Sequence, residues 1–207
     1  VAWVYNNKLI INHKKKFTMV LHEMALQGRH NVYNSMAAGI AAKILGVSND
    51  VLRECLSDFK GIEHRLEPVL KLDEKLFIND SKATNIDATL KALSAISEMA
   101  EEADIYLICG GDLKEQDILS TNLDIIRRVK KAFIYGQDKE PMYKSINRYT
   151  KSKCVLDLDE AVRNSKELSK KGDYVILSPA CSSLDMFKDY KERGNQFKKL
   201  IKELSYE

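Results

Sequence analysis

Three polar blocks, each following an apolar run, hold most of the residues in this chain that could do chemistry. Asn79-Asp80-Ser81-Lys82-Ala83-Thr84-Asn85 follows the run 76–78, Gly110-Gly111-Asp112-Leu113-Lys114 follows 105–109, and Ser178-Pro179-Ala180-Cys181-Ser182-Ser183-Leu184-Asp185 follows 174–177. Lys82 and Lys114 supply cationic charge. Gly110-Gly111 lets backbone approach a ligand closely, and the third block can open a helix, offering N–H groups and serine hydroxyls to an anion. Together they describe a site for a carboxylate or phosphate. Each block also has a plainer reading, as a turn and cap, a tight glycine turn and a helix start. Placement of all three at one sheet edge is what favours chemistry.

Two earlier motifs stay open. Asn31 and Asn34 sit three residues apart at a predicted helix start, where two carboxamides read a purine edge or cap the helix. Arg65, in Glu63-His64-Arg65, stands at a junction where it can meet a phosphate or form an inter-domain salt bridge. The sequence holds no GxxxxGK[ST] loop and no GxGxxG fingerprint. None of His13, His22, His30 or His64 lies in a context that reads as metal binding.

The elements that must position these blocks follow from periodicity. Stretches 1–5, 8–11 and 17–21 read as a β-meander with a turn at Asn6-Asn7. Val32, Met36, Ile40 and Ile44 recur at i+4 on a predicted helix ending at Gly46, and Ser48 caps a second helix that stops before Gly61. Beyond Gly61, strands are predicted at 66–72, 76–78, 105–109, 132–135, 154–156 and 174–177. Helices are predicted at 86–96, over a stretch including 118–129, around 142–149, at 159–168 and at the C-terminus. Short strands alternating with longer helices mean βαβ units and a mostly parallel sheet covered on both faces, with ligands bound beyond the carboxyl ends of its strands.

Composition narrows the function classes. The chain has 207 residues, 33 Lys+Arg against 30 Asp+Glu, and 44% apolar residues, as an ordinary globular protein does. The apolar runs fall far short of the ~18 residues that span a bilayer. Lys14-Lys15-Lys16 is the densest basic run, and no aromatic stripe accompanies it, so nucleic acid is a poor partner. Cys55, Cys109, Cys154 and Cys181 form no CxxC pair, which favours free thiols and a cytoplasmic location. The chain opens on Val1-Ala2-Trp3 within a predicted strand, without Met; the expectation is that residues of the complete protein precede it.

Five motifs in order, GRHNVYNSMAA, GIEHRLEPV, FINDSKATN, ICGGDLK and LSPACSSLDMFKDYKERGNQF, resemble the Mur ligases of peptidoglycan synthesis. NDSKATN and SPAC-x-S-x-D-x-F are similar to the members that add D-glutamate. The resemblance implies an α/β chain in two parts. Residues 1–61 would be the β-meander and helices that end an ATP-binding domain, and 62–207 a complete Rossmann-like domain that binds the incoming amino acid. It implies that ATP, with Mg²⁺, phosphorylates the terminal carboxylate of UDP-N-acetylmuramoyl-L-alanine, and that the amine of D-glutamate attacks the acyl phosphate.

Matched motif by motif, the resemblance puts Asn31, Asn34, Arg65 and Asp80 on the ATP side and Lys82 beside the reaction centre as the catalytic residue. Thr84, Lys114, Ser183, Leu184 and Tyr190 would form the D-glutamate pocket, with Lys114 the main counter-charge and Tyr190 where the family has Phe. The family's phosphate loop, carbamylated lysine and metal ligands lie upstream of the matched region. No metal ligand, no tightly bound cofactor and no activity of the chain alone are therefore expected. The complete enzyme would be monomeric, while the half-sheet in 1–61 favours self-association of this chain. Other amino-acid ligases of the superfamily, and a non-catalytic Rossmann-like binding module, are the alternatives.

Overall fold

The computed structural model describes residues 1–26, 28–99, 102–116, 118, 121 and 123–206, with the backbone alone at Arg29 and His30. The chain divides into two compact units, Val1–Gly61 and Ile62–Glu207.

In the first unit β1 (Ala2–Tyr5), β2 (Lys8–Ile11) and β3 (Phe17–Val20) form an antiparallel meander. Asn6 and Asn7 both take positive φ, 47° and 57°, as a two-residue hairpin turn matched to strand twist requires. Helices α1 (Arg29–Ile44) and α2 (Asn49–Asp58) cover this sheet, and Ser48 Oγ accepts the Val51 N–H to cap α2. Leu9, Ile11, Phe17, Met19, Met24 and Leu52 make the core, with Val32, Met36 and Ile40 packed against it. Ile44, the last of the i+4 series, is exposed. Each i+4 step overshoots a full turn by about 40°, so three steps carry the side chain off the buried face.

In the second unit β4 (Glu67–Leu72) and β5 (Lys75–Asn79) form an antiparallel hairpin at the edge of a six-stranded sheet. β6 (Ile105–Gly110), β7 (Val129–Tyr135), β8 (Ser152–Cys154) and β9 (Tyr174–Leu177) run parallel to β5, in the order β4-β5-β9-β6-β7-β8. Alternate residues build two cores. Ile78, Leu107, Ile134 and Ile176 pack with Leu93 of α3 (Ile86–Met99) and Met142 of α4 (Lys139–Ile146). Phe77, Ile108, Phe133 and Val175 pack with Val162 of α5 (Leu158–Leu168) and Phe197 of α6 (Tyr190–Leu204). β6 is buried along its whole length, as a central parallel strand covered on both faces must be. Among the described residues no helix is long and apolar enough to cross a membrane.

Three expectations are corrected. In place of the helix expected to include 118–129, the described residues form a 3₁₀ turn, Asp124–Arg128, and Val129 already opens β7; positions 119, 120 and 122 lie outside the described residues. Leu123, Ile126 and Val129 are all buried, and residues three apart stand one above another in a 3₁₀ turn. The strand expected at 154–156 pairs at 152–154 instead. Asp157 Oδ1 accepts the Glu160 N–H at 2.9 Å and Glu160 Oε2 accepts the Leu156 N–H at 2.7 Å, a reciprocal cap that turns the chain into α5 and leaves Leu156 in solvent. The block 178–185 opens no helix; the chain stays irregular until Asp189 caps α6.

The cap sets a prediction. Asp157→Ala should lower unfolding free energy by about 1 kcal/mol in chemical denaturation. The exposed Leu156→Ala should change it by less than about 0.5 kcal/mol.

Candidate functional site

Parallel strands deliver the ends of β5, β9, β6 and β7 to one edge, where their backbones cross closely. Gly110, Gly111 and Gly136 all have positive φ. A Cβ at Gly110 would lie 1.9 Å from Tyr135 O, one at Gly111 2.2 Å from Ser182 O, and one at Gly136 2.6 Å from Gly111 N. Side chains are excluded at these crossings by both space and backbone conformation. Asp112 and Ser182 exchange backbone hydrogen bonds of 3.2 and 2.8 Å, so the Lys114 loop and the Ser183 loop are stitched together.

Four further side chains hold these loops, and of these only Asp185, the acidic residue of SPAC-x-S-x-D-x-F, was marked in the sequence. Gln116 accepts the Ile86 N–H at 2.8 Å and donates to Leu113 O at 3.0 Å and Ala180 O at 3.2 Å, joining three loops. Asp138 Oδ2 accepts the Leu113 N–H at 2.7 Å, and Asp185 Oδ2 the Gln137 N–H at 2.9 Å. Arg193 is 0% exposed. Its Nε donates to Ser81 Oγ at 3.0 Å, Nη2 to Ser81 O at 2.9 Å, and both Nη atoms to Cys181 O at 3.1 Å. Burial lowers its pKa, yet a guanidinium stays charged under any ordinary condition. Arg193 sits in α6, far in sequence from the β5 loop it joins to the β9 loop.

The β5 loop is equally fixed. Asp80, buried, accepts the Ser178 hydroxyl at 2.7 Å and the Leu66 N–H at 3.1 Å. Burial pushes its pKa from 3.8 up to about 6, with these two donors and the charge of Arg65 opposing the rise. Lys82 is half-buried, its N–H bound to His64 O at 3.0 Å and its Nζ 4.0 Å from the centre of the Tyr190 ring. Thr84 follows in a turn closed by its N–H on Lys82 O at 2.8 Å. Lys114 is exposed on a left-handed backbone, φ 54°, which the Asp112 carboxylate fixes by accepting its N–H at 2.7 Å. Ser183 is buried and Leu184 is 64% exposed. Lys82 and Tyr190 are thus in contact, and Lys114 and Ser183 lie on bridged loops. Arg65 is exposed at the start of this unit, whereas Asn31 and exposed Asn34 stand on α1 of the first unit.

Glu63, His64 and Glu67 group closely enough to hold a cation. That place is taken by the Lys198 ammonium, which bridges the Glu63 and Glu67 carboxylates. Among the described residues this is the single such cluster. All four cysteines are free, with Cys109 and Cys181 buried and Cys55 exposed. Burial pushes the Cys181 thiol up to about 12, so its sulfur stays protonated while its carbonyl serves Arg193.

Two outcomes follow from this edge. Asp80 has a folded pKa above its unfolded one, so the native state binds the extra proton between about pH 4 and 6, and stability falls as pH rises through that window. Asp80→Asn removes the dependence. The stability of the native chain relative to this variant should drop by on the order of 3 kcal/mol between pH 4 and pH 7 in urea titrations. Gly136→Ala should cost more than about 2 kcal/mol, because strain and a backbone collision add. Gly172→Ala, at φ 91° with nothing within 4 Å, should cost only about 1 kcal/mol.

Comparison with known proteins matches residues 64–181 to the family described as Mur ligase, glutamate ligase domain. The chain is 39% identical over 207 residues to a UDP-N-acetylmuramoylalanine--D-glutamate ligase of Bacteroides thetaiotaomicron, covering 99% of this chain and 45% of that protein. It is 38% identical over 206 residues to the ligase of the same name from Christiangramia forsetii, covering 98% and 45%. The chain therefore spans less than half the length of these relatives. Its fold is shared with a bifunctional folylpolyglutamate synthase/dihydrofolate synthase from Yersinia pestis, TM-score 0.67 at 14% identity over 95% of this chain and 45% of that one. UDP-N-acetylmuramate-alanine ligase MurC from Thermotoga maritima superposes with TM-score 0.65 at 14% identity, over 96% and 44%. The matched span begins at His64 and ends at Cys181, taking in the β5, β6 and β7 loops and the start of the β9 loop, and on that ground the chain belongs to the Mur ligase family.

Proposed function

We propose that the chain is the C-terminal part of an ATP-dependent ligase that joins D-glutamate to UDP-N-acetylmuramoyl-L-alanine, in cytoplasmic synthesis of peptidoglycan precursors. The observation that carries this reading is the interlocked sheet edge, which presents Lys82 and Lys114 from loops fixed by Gln116, Asp80 and Arg193. Residues 62–207 would be the amino-acid-binding domain and residues 1–61 the end of the ATP-binding domain. The partners are small molecules, with no part for nucleic acid or a membrane, and the complete enzyme is monomeric.

A carboxylate is a poor electrophile, and phosphorylation gives it a leaving group. In this reading ATP and Mg²⁺ supply that step. In this reading the metal ligands and the phosphate loop would come from the region upstream of the matched motifs, and the carboxylates of Glu63 and Glu67 are bridged by Lys198. Asn31 and Asn34 would face the nucleotide base, with Arg65 reaching its phosphates and Asp80 its ribose. The two oxygens of Asp80 already accept Leu66 N–H and the Ser178 hydroxyl, so its ribose contact would use their remaining lone pairs.

D-glutamate would bring two carboxylates. Lys114 offsets one charge, helped by Thr84, Ser183 and the backbone at Leu184. Lys82 stands beside the acyl phosphate, where an ammonium stabilises charge building on the tetrahedral intermediate. A preorganised cation is effective here because its loop needs no reorganisation as the charge develops.

Titration of the ¹⁵N-labelled chain with D-glutamate, with L-glutamate as control, tests the pocket. Amide shifts at Thr84, Lys114, Ser183 and Leu184 should follow the D-enantiomer alone and vanish in Lys114→Ala. Equal responses to both enantiomers would assign the site to another amino acid, and so to another ligase of the superfamily. The chain by itself should show no ATP-dependent ligation, and a measurable rate would refute the division of labour proposed here.

A further inference from the structure

Lys82 raises a physical problem. A lysine beside a reaction centre must be held in place without losing its charge or its N–H donors, and its four-carbon stem is flexible. Among the described residues no carboxylate lies within ion-pair distance of Lys82; its contact is the face of Tyr190, 4.0 Å from Nζ to ring centre. A carboxylate would neutralise the ammonium and occupy its donors. An aromatic face attracts the cation through the ring quadrupole and leaves the donors pointing elsewhere.

The ring also meets a second ring. His64 meets Tyr190 edge-on, with ring centres 5.9 Å apart and planes at 86°. His64 is 3% exposed, and its Nδ1 lies 2.9 Å from Asn79 Nδ2. Asn79 Oδ1 accepts the Ser81 N–H, so the amide can only present its Nδ2 to His64, which makes Nδ1 an acceptor and the imidazole neutral. Gly194 packs against the same edge of the imidazole; a Cβ there would be 2.3 Å from His64 Nδ1 and 3.1 Å from Asn79 Nδ2. The backbones are tied as well. Ser81 Oγ donates to Tyr190 O at 2.7 Å, and Lys82 N–H donates to His64 O at 3.0 Å. Lysine, tyrosine and histidine therefore form one stack whose three backbone segments are joined to each other.

We propose that Tyr190 is a positioning residue for Lys82: its ring face holds the ammonium in place, His64 braces the ring, and the tyrosine hydroxyl is dispensable. This rests on the reading of Lys82 as the group beside the reaction centre. It separates Tyr190 from the residues that contact D-glutamate directly, and predicts an effect on turnover, not on amino-acid affinity.

The test uses the full-length protein that contains this chain, with ¹³C-labelled lysine and the Lys82 εCH₂ signal assigned through Lys82→Arg. In the native protein that signal is shifted upfield by the ring. Tyr190→Phe should keep the shift and a kcat within about twofold of native. Tyr190→Leu should return the signal to the position of solvated lysines and lower kcat roughly tenfold, with KM for D-glutamate changed less than about threefold. A Lys82 signal indifferent to Tyr190→Leu overturns the proposal. So does a rise in KM with kcat unchanged, which would make Tyr190 a substrate contact, or a Tyr190→Phe protein as impaired as Tyr190→Leu. If the native full-length protein fails to ligate D-glutamate, the proposed function falls, and the Lys82 resonance still decides whether the stack exists.

Discussion

A guanidinium with no exposed surface is the constraint on which this structure turns. Arg193 projects from the first turn of α6 and donates four hydrogen bonds, two to Ser81 and two to Cys181 O. An unpaired buried charge is strongly unfavourable, so every N–H that finds an oxygen also fixes the segment carrying that oxygen. The β5 and β9 loops are held at one spacing because Arg193 cannot be satisfied at another. Ala180, beside Cys181 in the chain, accepts a left-handed backbone, φ 62°, in the same segment. Strain of that kind persists only where neighbours over-determine the conformation.

The rest of the edge follows from this anchor. With β5 and β9 fixed, the β6 loop reaches β9 through the Asp112 and Ser182 pair, and β7 reaches β6 through Gly136 against Gly111. Gln116 and Asp138 close the remaining gaps. The charge pattern is uneven as a result. Carboxylates are consumed internally: Asp80 by Ser178 and Leu66, Asp138 by Leu113, Asp185 by Gln137, Glu63 and Glu67 by Lys198. The lysines at the rim are not neutralised in this way, for Lys82 rests on a ring and Lys114 is exposed. Such an edge favours anions, which is the electrostatic demand of phosphate and carboxylate substrates.

Much of this was readable from residue order. Alternation and apolar runs located the described strands to within three residues, most sharply at β6, where two-sided burial leaves a strong hydrophobic signature. The 3₁₀ turn at Asp124–Arg128 escaped because a spacing of three is compatible with an α-helix until the partner surface is known. Leu156 looks like a strand residue by type, yet the Asp157 and Glu160 cap overrides its propensity. At the site the lysines, glycines and serines could be picked out as chemically able groups. Gln116, Asp138 and Arg193 could not, since each acts on partners that are distant in sequence.

Sequence alone determined what this chain contains: an α/β alternation, free cysteines, two lysines and a glycine pair placed at strand ends, and a set of ordered motifs. Those are local properties, fixed by residue type and spacing. Tertiary structure decided which groups remain available. It hid Arg193 and Asp80 in hydrogen bonds, filled the Glu63, His64 and Glu67 cluster with Lys198, and laid Lys82 on Tyr190. Desolvation and pairing set the charge and freedom of a side chain, and both depend on neighbours brought from far along the chain.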